Sequence, residues 1–295
     1  MAIGISVFEN IVYYGPNPIF YPKLGTLKAK EKVNIIWREE EWFYIEFFDG
    51  NHKKRGYVQD LFISYIIGKV ISVPLYGEVK LTEHKANSYL GPIPNIYGKA
   101  GVVFEYEPLT VFNVTLGDYT FVEYNIKGNQ KKRGFINSKA INFKANSKLI
   151  PQVGNRLADF SNESCYGSGS FYRRASLRGQ CTWYCWGRAK EKCKQRLMLK
   201  YPNNAHNWLE NSTAGYKSKQ LASAKPMKNA IACFEGGSYG HLVFIEDVES
   251  DLVYFTEANA GGNNFVDSSD GVLQVKSINE FKRHLGKSLQ GYIVL

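Results

Sequence analysis

Two copies of one short pattern occupy the first half of this chain, and they limit what that half can fold into more than any other feature. Tyr13-Tyr14-Gly15-Pro16-Asn17-Pro18 returns 76 positions later as Tyr89-Leu90-Gly91-Pro92-Ile93-Pro94. Lys53-Lys54-Arg55-Gly56-Tyr57-Val58 returns 78 positions later as Lys131-Lys132-Arg133-Gly134-Phe135-Ile136. Between these anchors each copy alternates as a strand does, Trp42-Phe43-Tyr44-Ile45-Glu46-Phe47 in the first and Tyr119-Thr120-Phe121-Val122-Glu123-Tyr124 in the second. A polar turn follows, Asp49-Gly50-Asn51-His52 or Lys127-Gly128-Asn129-Gln130, of the kind that joins hairpin strands. Two small β-barrels are therefore expected, at 1–70 and 71–145. Small barrels fill their interiors with large aromatics, so of Tyr13, Tyr14, Trp42, Tyr89 and Tyr119 only about one in three is expected to face a ligand.

The stretch from Lys144 to Ala158 has few strand or helix signals and predicts a linker at 146–158. The remaining residues, 159–295, carry the chemistry. Gly179-Gln180-Cys181-Thr182-Trp183-Tyr184 sets a cysteine after a glycine turn and at the first turn of an expected helix, where backbone N–H groups and the helix dipole favour a thiolate. Gly240-His241 opens an apolar strand, and a second strand-like run, Leu252-Val253-Tyr254-Phe255, leads into Glu257-Ala258-Asn259. Imidazole suits the transfer of a thiol proton to a leaving amine because it titrates near neutrality. His52, His84, His206 and His284 read as surface residues, the last within the basic stretch Phe281-Lys282-Arg283-His284. Glu257 and Asn259 are expected on one side of an extended segment, since alternate side chains on a strand point the same way.

These residues resemble the active-site set of the CHAP family, the cysteine, histidine-dependent amidohydrolases/peptidases. Asn203-Asn204-Ala205-His206-Asn207-Trp208, Pro226 to Phe234 and Tyr239-Gly240-His241 resemble further segments of that family, with Asn204 and Asn229 standing where it usually has glycine. The resemblance covers roughly Phe160 to Leu295. It implies an α+β architecture with a papain-like C-terminal domain. It further implies Cys181 as nucleophile, His241 as base, Glu257 as the third catalytic group and Asn259 as its polar supporter. The backbone N–H of Cys181 is the implied oxyanion donor, with Gln180 as a second candidate. Trp183, Tyr239 and Trp208, within the matching segments, are candidates for contacting substrate. The implied substrate is bacterial cell-wall peptidoglycan, cut as an N-acetylmuramoyl-L-alanine amidase or as an endopeptidase; the residues leave both open. The repeats are similar, more weakly, to bacterial SH3-type domains, which implies wall binding.

A net charge of +10 calls for a partner rich in negative charge, but no nucleic-acid-binding motif accompanies it, and a phosphate-bearing wall fits. No apolar run is long enough to insert into a membrane. Met1-Ala2-Ile3-Gly4-Ile5-Ser6 lacks the pattern of a secretory signal, so synthesis in the cytoplasm and action at the wall after release, as for a phage-type endolysin, is the expectation. Five cysteines, an odd number, are expected as free thiols. No metal or cofactor is expected: Cys181 and Cys185 lack a second pair at zinc spacing, and Tyr172 to Arg178 carries no carboxylate for calcium. Two other classes stay open, a noncatalytic wall-binding protein or bacteriocin-like adhesin with an inactive papain-like domain, and a cytoplasmic thiol protease or transglutaminase-like enzyme acting on proteins.

Overall fold

The computed structural model describes residues 2–50, 52–200 and 204–295, without the side chain of Tyr65; Asn51 and Asn203, named above, lie outside the described residues. Strands dominate, and the chain divides into two compact units, 1–146 and 147–295. No helix among the described residues is long and apolar enough to cross a membrane.

The first unit holds both repeats as two seven-stranded antiparallel sheets, and the strands follow one another across each sheet in the same order. In the first repeat Phe43, Ile45 and Phe47 point into a core with Val12, Leu27, Val33, Ile35 and Val58. The alternation suggested one wet face, yet Trp42 through Phe47 are all buried. The second face is covered by the other repeat, where Trp37, Tyr44 and Tyr57 pack with Phe112, Phe121 and Phe135. Ring centroids lie 5.5 Å apart for Trp37 and Phe121 and 5.4 Å for Tyr44 and Phe121.

Polar groups cross between the repeats as well. Tyr21 donates to Glu123 of the second repeat, and Tyr97 of the second repeat donates to Glu46 of the first. The recurrent Lys-x-Arg pairs neutralise these carboxylates: Lys53 and Arg55 bind Glu46, and Lys131 and Arg133 bind Glu123. Arg55 also donates to the Tyr97 hydroxyl at 2.7 Å, and Arg133 to Glu39 at 2.8 Å and Tyr57 at 3.0 Å. Part of the positive charge read from the sequence is thus consumed inside the unit.

The second unit is built on a six-stranded antiparallel sheet ordered Ser218–Leu221, Ser288–Val294, Ala230–Glu235, His241–Glu249, Leu252–Thr256, Gln274–Ser277. Its central strands are apolar on both faces because both are covered. Ile231, Cys233, Leu242, Phe244 and Ile293 meet the Cys181–Cys193 helix, while Ala232, Phe234, Val243, Ile245, Phe255 and Tyr292 pack on the other side with Phe281. The stretch expected as a linker is bound into this unit: Ile150 is buried, the Gly154 and Leu157 N–H groups donate to the Leu273 and Gly271 carbonyls, and Arg156 donates to the Asp270 carbonyl.

Candidate active site

Cys181 begins its helix because the chain before it cannot. Gly179 takes a left-handed φ of 89° with Phe265 backbone 2.6 Å from where a Cβ would sit, and Gln180 is extended at the N-cap. The helix runs 13 residues and stops where Lys194 turns left-handed at φ 58°. Residues 181 to 189 are all buried, which fits a helix sandwiched against a sheet. Its depth is fixed by Glu246, wholly buried on the helix-facing side of the His241–Glu249 strand. Arg188 donates to it at 2.8 and 3.1 Å, Lys192 at 2.5 Å and the Thr256 hydroxyl at 2.8 Å. Burial works to raise the Glu246 pKa, but these donors hold it below the usual carboxylate range.

His241 starts that strand after a turn only glycine accommodates: Gly240 has φ 74°, and a Cβ there would meet the His206 nitrogen and the Phe234 carbonyl at 2.6 Å. The Cys181 side chain lies near enough to the ring to act on its charge. Its Nε2 is 2.7 Å from Glu257 Oε2, which leaves Nδ1 for the cysteine. Both residues are buried, at 4% and 2% exposure, so their interaction is little screened by water. Burial alone disfavours a charged ring, but Cys181 and Glu257 beside it push the His241 pKa up to about 10. Burial likewise disfavours a charged Glu257; the hydrogen bonds of His241 and His284 outweigh it and hold that carboxyl well below its ordinary range. Cys181, His241 and Glu257 are therefore brought together, with Cys181 lining a cleft of about 430 Å³ beside Arg174, Gln180, Thr182, Tyr239 and Asn264.

The other expected site residues are distributed differently. Asn259 does not share a strand face with Glu257, because the strand ends at Thr256 and Asn259 adopts a left-handed φ of 61°. Its amide donates to Gln180 Oε1 at 3.0 Å and to Asn264, and its N–H to Asp270. Gln180 in turn donates to Asn264 at 2.8 Å, so its side chain ties the N-cap to the 259–264 turn. Trp183 is fully buried and donates to the Tyr166 carbonyl, and Trp208 is fully buried and stacked on Tyr172; both are packing residues away from the cleft surface. Tyr239 is 68% exposed at the cleft.

His284, read as a surface residue, is 2% exposed with Nε2 2.8 Å from Glu257 Oε2. The signal that would have found it lies in the fold, where Phe234, Phe255 and Phe281, distant in sequence, enclose the ring. His241, Glu257 and His284 bring three ligand-type atoms within 4.8 Å of one another, but those atoms are spent on mutual hydrogen bonds. All five thiols are unpaired. Burial, with Cys181 close by, raises the Cys185 pKa far above the ordinary thiol value, and burial likewise raises that of Cys233.

A CHAP domain family model matches residues 171–259, a span that contains Gln180, Cys181, His241, Glu257 and Asn259 but not His284. An N-acetylmuramoyl-L-alanine amidase domain-containing protein of Staphylococcus aureus is 36% identical over 91 residues, 28% of this chain and 14% of that protein. N-acetylmuramoyl-L-alanine amidase sle1 of Staphylococcus epidermidis is 39% identical over 74 residues, 25% of this chain and 21% of its own length. The chain thus spans about a fifth or less of these curated relatives. Among solved structures, NlpC2 of Trichomonas vaginalis aligns at a TM-score of 0.22 and 12% identity, covering 99% of this chain and 96% of that one. An NlpC/P60 family protein of Bacillus cereus aligns at 0.23 and 9%, covering 99% of both chains.

Proposed function

We propose that the chain is a peptidoglycan hydrolase that cleaves a wall amide by thiol catalysis at Cys181. One observation carries this reading: a helix-start cysteine that lines a cleft lies beside a buried imidazole whose Nε2 is 2.7 Å from a buried carboxylate. The match of residues 171–259 and the amidase names of the staphylococcal relatives support the substrate.

The raised pKa keeps His241 protonated at neutral pH, the form that pairs with a Cys181 thiolate. The sulfur attacks the amide carbon, and the oxyanion is held by the Cys181 N–H at the helix start. The imidazolium Nδ1–H then protonates the leaving nitrogen as the C–N bond breaks, leaving a thioester and a neutral ring. That ring takes a proton from water, the hydroxide attacks the thioester carbon, and the acid departs as the thiolate and imidazolium reform. Glu257 stabilises the imidazolium through Nε2 in both halves. Tyr239, exposed at the rim, is assigned to substrate contact. Asn259 acts at one remove, fixing Gln180 and so the start of the helix. Cys181→Ser is expected to abolish clearing of purified wall suspensions. Mass analysis of wild-type digests separates the two activities, a new N-terminal alanine marking an amidase and other new amines an endopeptidase. A Cys181→Ser chain that clears walls at the wild-type rate overturns the thiol mechanism.

The first unit is assigned to wall binding through two SH3-type domains, 1–70 and 71–145. In the first repeat Tyr13 meets Trp42 edge-on at 6.0 Å, and in the second Tyr89 meets Tyr119 edge-on at 6.1 Å. Tyr13 and Trp42 line a cavity of about 270 Å³ with Asn10, Pro18 and Gln59, which suits an extended peptide. In the inactive Cys181→Ser background, Tyr13→Ala and Tyr89→Ala together are expected to cut retention on purified walls at least about tenfold, the loss of an aromatic contact in each repeat. Undiminished cosedimentation would place the binding surface elsewhere.

A further inference from the structure

Glu257 is held from behind as firmly as it holds His241 in front. We propose that His284 and Lys276 form a positioning pair that keeps Glu257 Oε2 charged and aimed at His241 Nε2; this rests on the Cys181–His241 reading of the site. Lys276 Nζ is 2.8 Å from His284 Nδ1. An ammonium group only donates, so Nδ1 accepts, and the His284 proton resides on Nε2. That proton points at Glu257 Oε2, 2.8 Å away, the same oxygen that takes the His241 hydrogen bond. Gln274 donates to the other carboxylate oxygen, Oε1, at 2.8 Å.

The scaffold presents these groups as a set. Gln274 and Lys276 stand two apart on the Gln274–Ser277 strand and so point to the same side, and Gln274 pairs with Phe255 on the strand that feeds Glu257. A capping box of Ser277 and Glu280 starts the Ile278–Phe281 helix, and His284 follows it. Its ring is clamped by Phe281, stacked at 6.3 Å, by Phe255 edge-on at 5.0 Å and by Phe234 at 6.0 Å. Within this aromatic clamp the imidazole is bonded at both nitrogens, so its polar atoms, not only its packing, connect Lys276 to Glu257. The titratable groups facing Glu257 are His241, with Cys181 beyond it, His284, with Lys276 beyond it, and Cys185 of the helix. Lys276 reinforces the tautomer that the Glu257 oxygen itself selects; without it Nδ1 loses its donor, the ring is held at one nitrogen only, and the hydrogen bond to the carboxylate is set less firmly.

The test uses the full chain. Lys276→Met and His284→Phe are expected to lower kcat on soluble wall fragments about ten- to a hundredfold, the range of a lost hydrogen bond to a charged group, with KM within about twofold. Neither residue lines the cleft, so substrate binding is spared. The second readout needs no substrate: the rate of Cys181 alkylation by iodoacetamide against pH, located by peptide mass mapping. Its acid limb is expected to move to higher pH in both variants and to return in Lys276→Arg and His284→Gln, which restore a donor. Alkylation profiles that overlay the wild type, with any lost activity following the melting temperature, overturn the proposal. Should His284→Phe fail to fold, the partly exposed Lys276 decides the matter alone. Wall clearing by Cys181→Ser would sink the thiol reading instead, while the alkylation profile still reports on His284.

Discussion

A carboxylate that accepts from two imidazoles through one oxygen has little freedom to turn, and Glu257 does this while buried and charged. The consequence for His241 is measurable. Its pKa stands above the unfolded value of 6.5, so its contribution to stability is complete below that value and is lost as pH climbs toward about 10. Glu257 is shifted the opposite way and contributes in full throughout that window. The difference in urea midpoint between wild type and His241→Gln is therefore expected to shrink from pH 6.5 to pH 10; a constant difference would mean that the ring is neutral when folded. Cys181, His241 and Glu257 were singled out in the sequence by the resemblance to the CHAP family, helped by a local signal, since each sits where a strand or helix meets a glycine or a strand end; the structure brings the three together. His284 was not singled out, since its partners Lys276 and Glu257 reach it only through the turn after Phe281. Trp183 was misread for a related reason: two residues past Cys181 a helix has rotated most of the way to its opposite face, here into the core.

At the scale of elements, the position of Cys181 depends on an ion network a full turn and more behind it. Arg188 and Lys192 anchor the helix to Glu246, whose exposure is nil. Replacing Glu246 with alanine takes the buried carboxylate from Arg188, which keeps Glu191 at 2.7 Å, and from the partly exposed Lys192, and a loss of about 3 kcal/mol in unfolding free energy is expected. Chemical denaturation checks it, and a loss below about 1 kcal/mol would show that water reaches the arginine. The strand pattern was readable from alternation, but its reach was not. Asn259 was expected to continue the extended segment, whereas the chain turns at that residue, which asparagine tolerates better than most side chains. Asn229 shows the same property, taking φ 57° at a position where the resembling family usually has glycine.

For the molecule as a whole, the recurrence of sequence announced two similar sheets but not how they engage. Tyr97 and Glu46 lie 51 positions apart and Tyr21 and Glu123 lie 102 apart, distances at which no pattern in one copy reports on the other. Each tyrosine crosses to the opposite repeat, and Arg133 spans to Glu39 and Tyr57. Arg133→Met is expected to lower the stability of both repeats together by about 3–5 kcal/mol, because Glu39 and Glu123 lose a buried partner. Hydrogen exchange read separately over 2–67 and 77–142 checks this; a change confined to the second repeat would mean that the halves open independently. The crossing also decides what an engineer can transplant. A hybrid made by exchanging one copy for a foreign homologue would strand a glutamate and a tyrosine on the half that stayed, so the cassette to move between proteins is the pair, cut after Asn146.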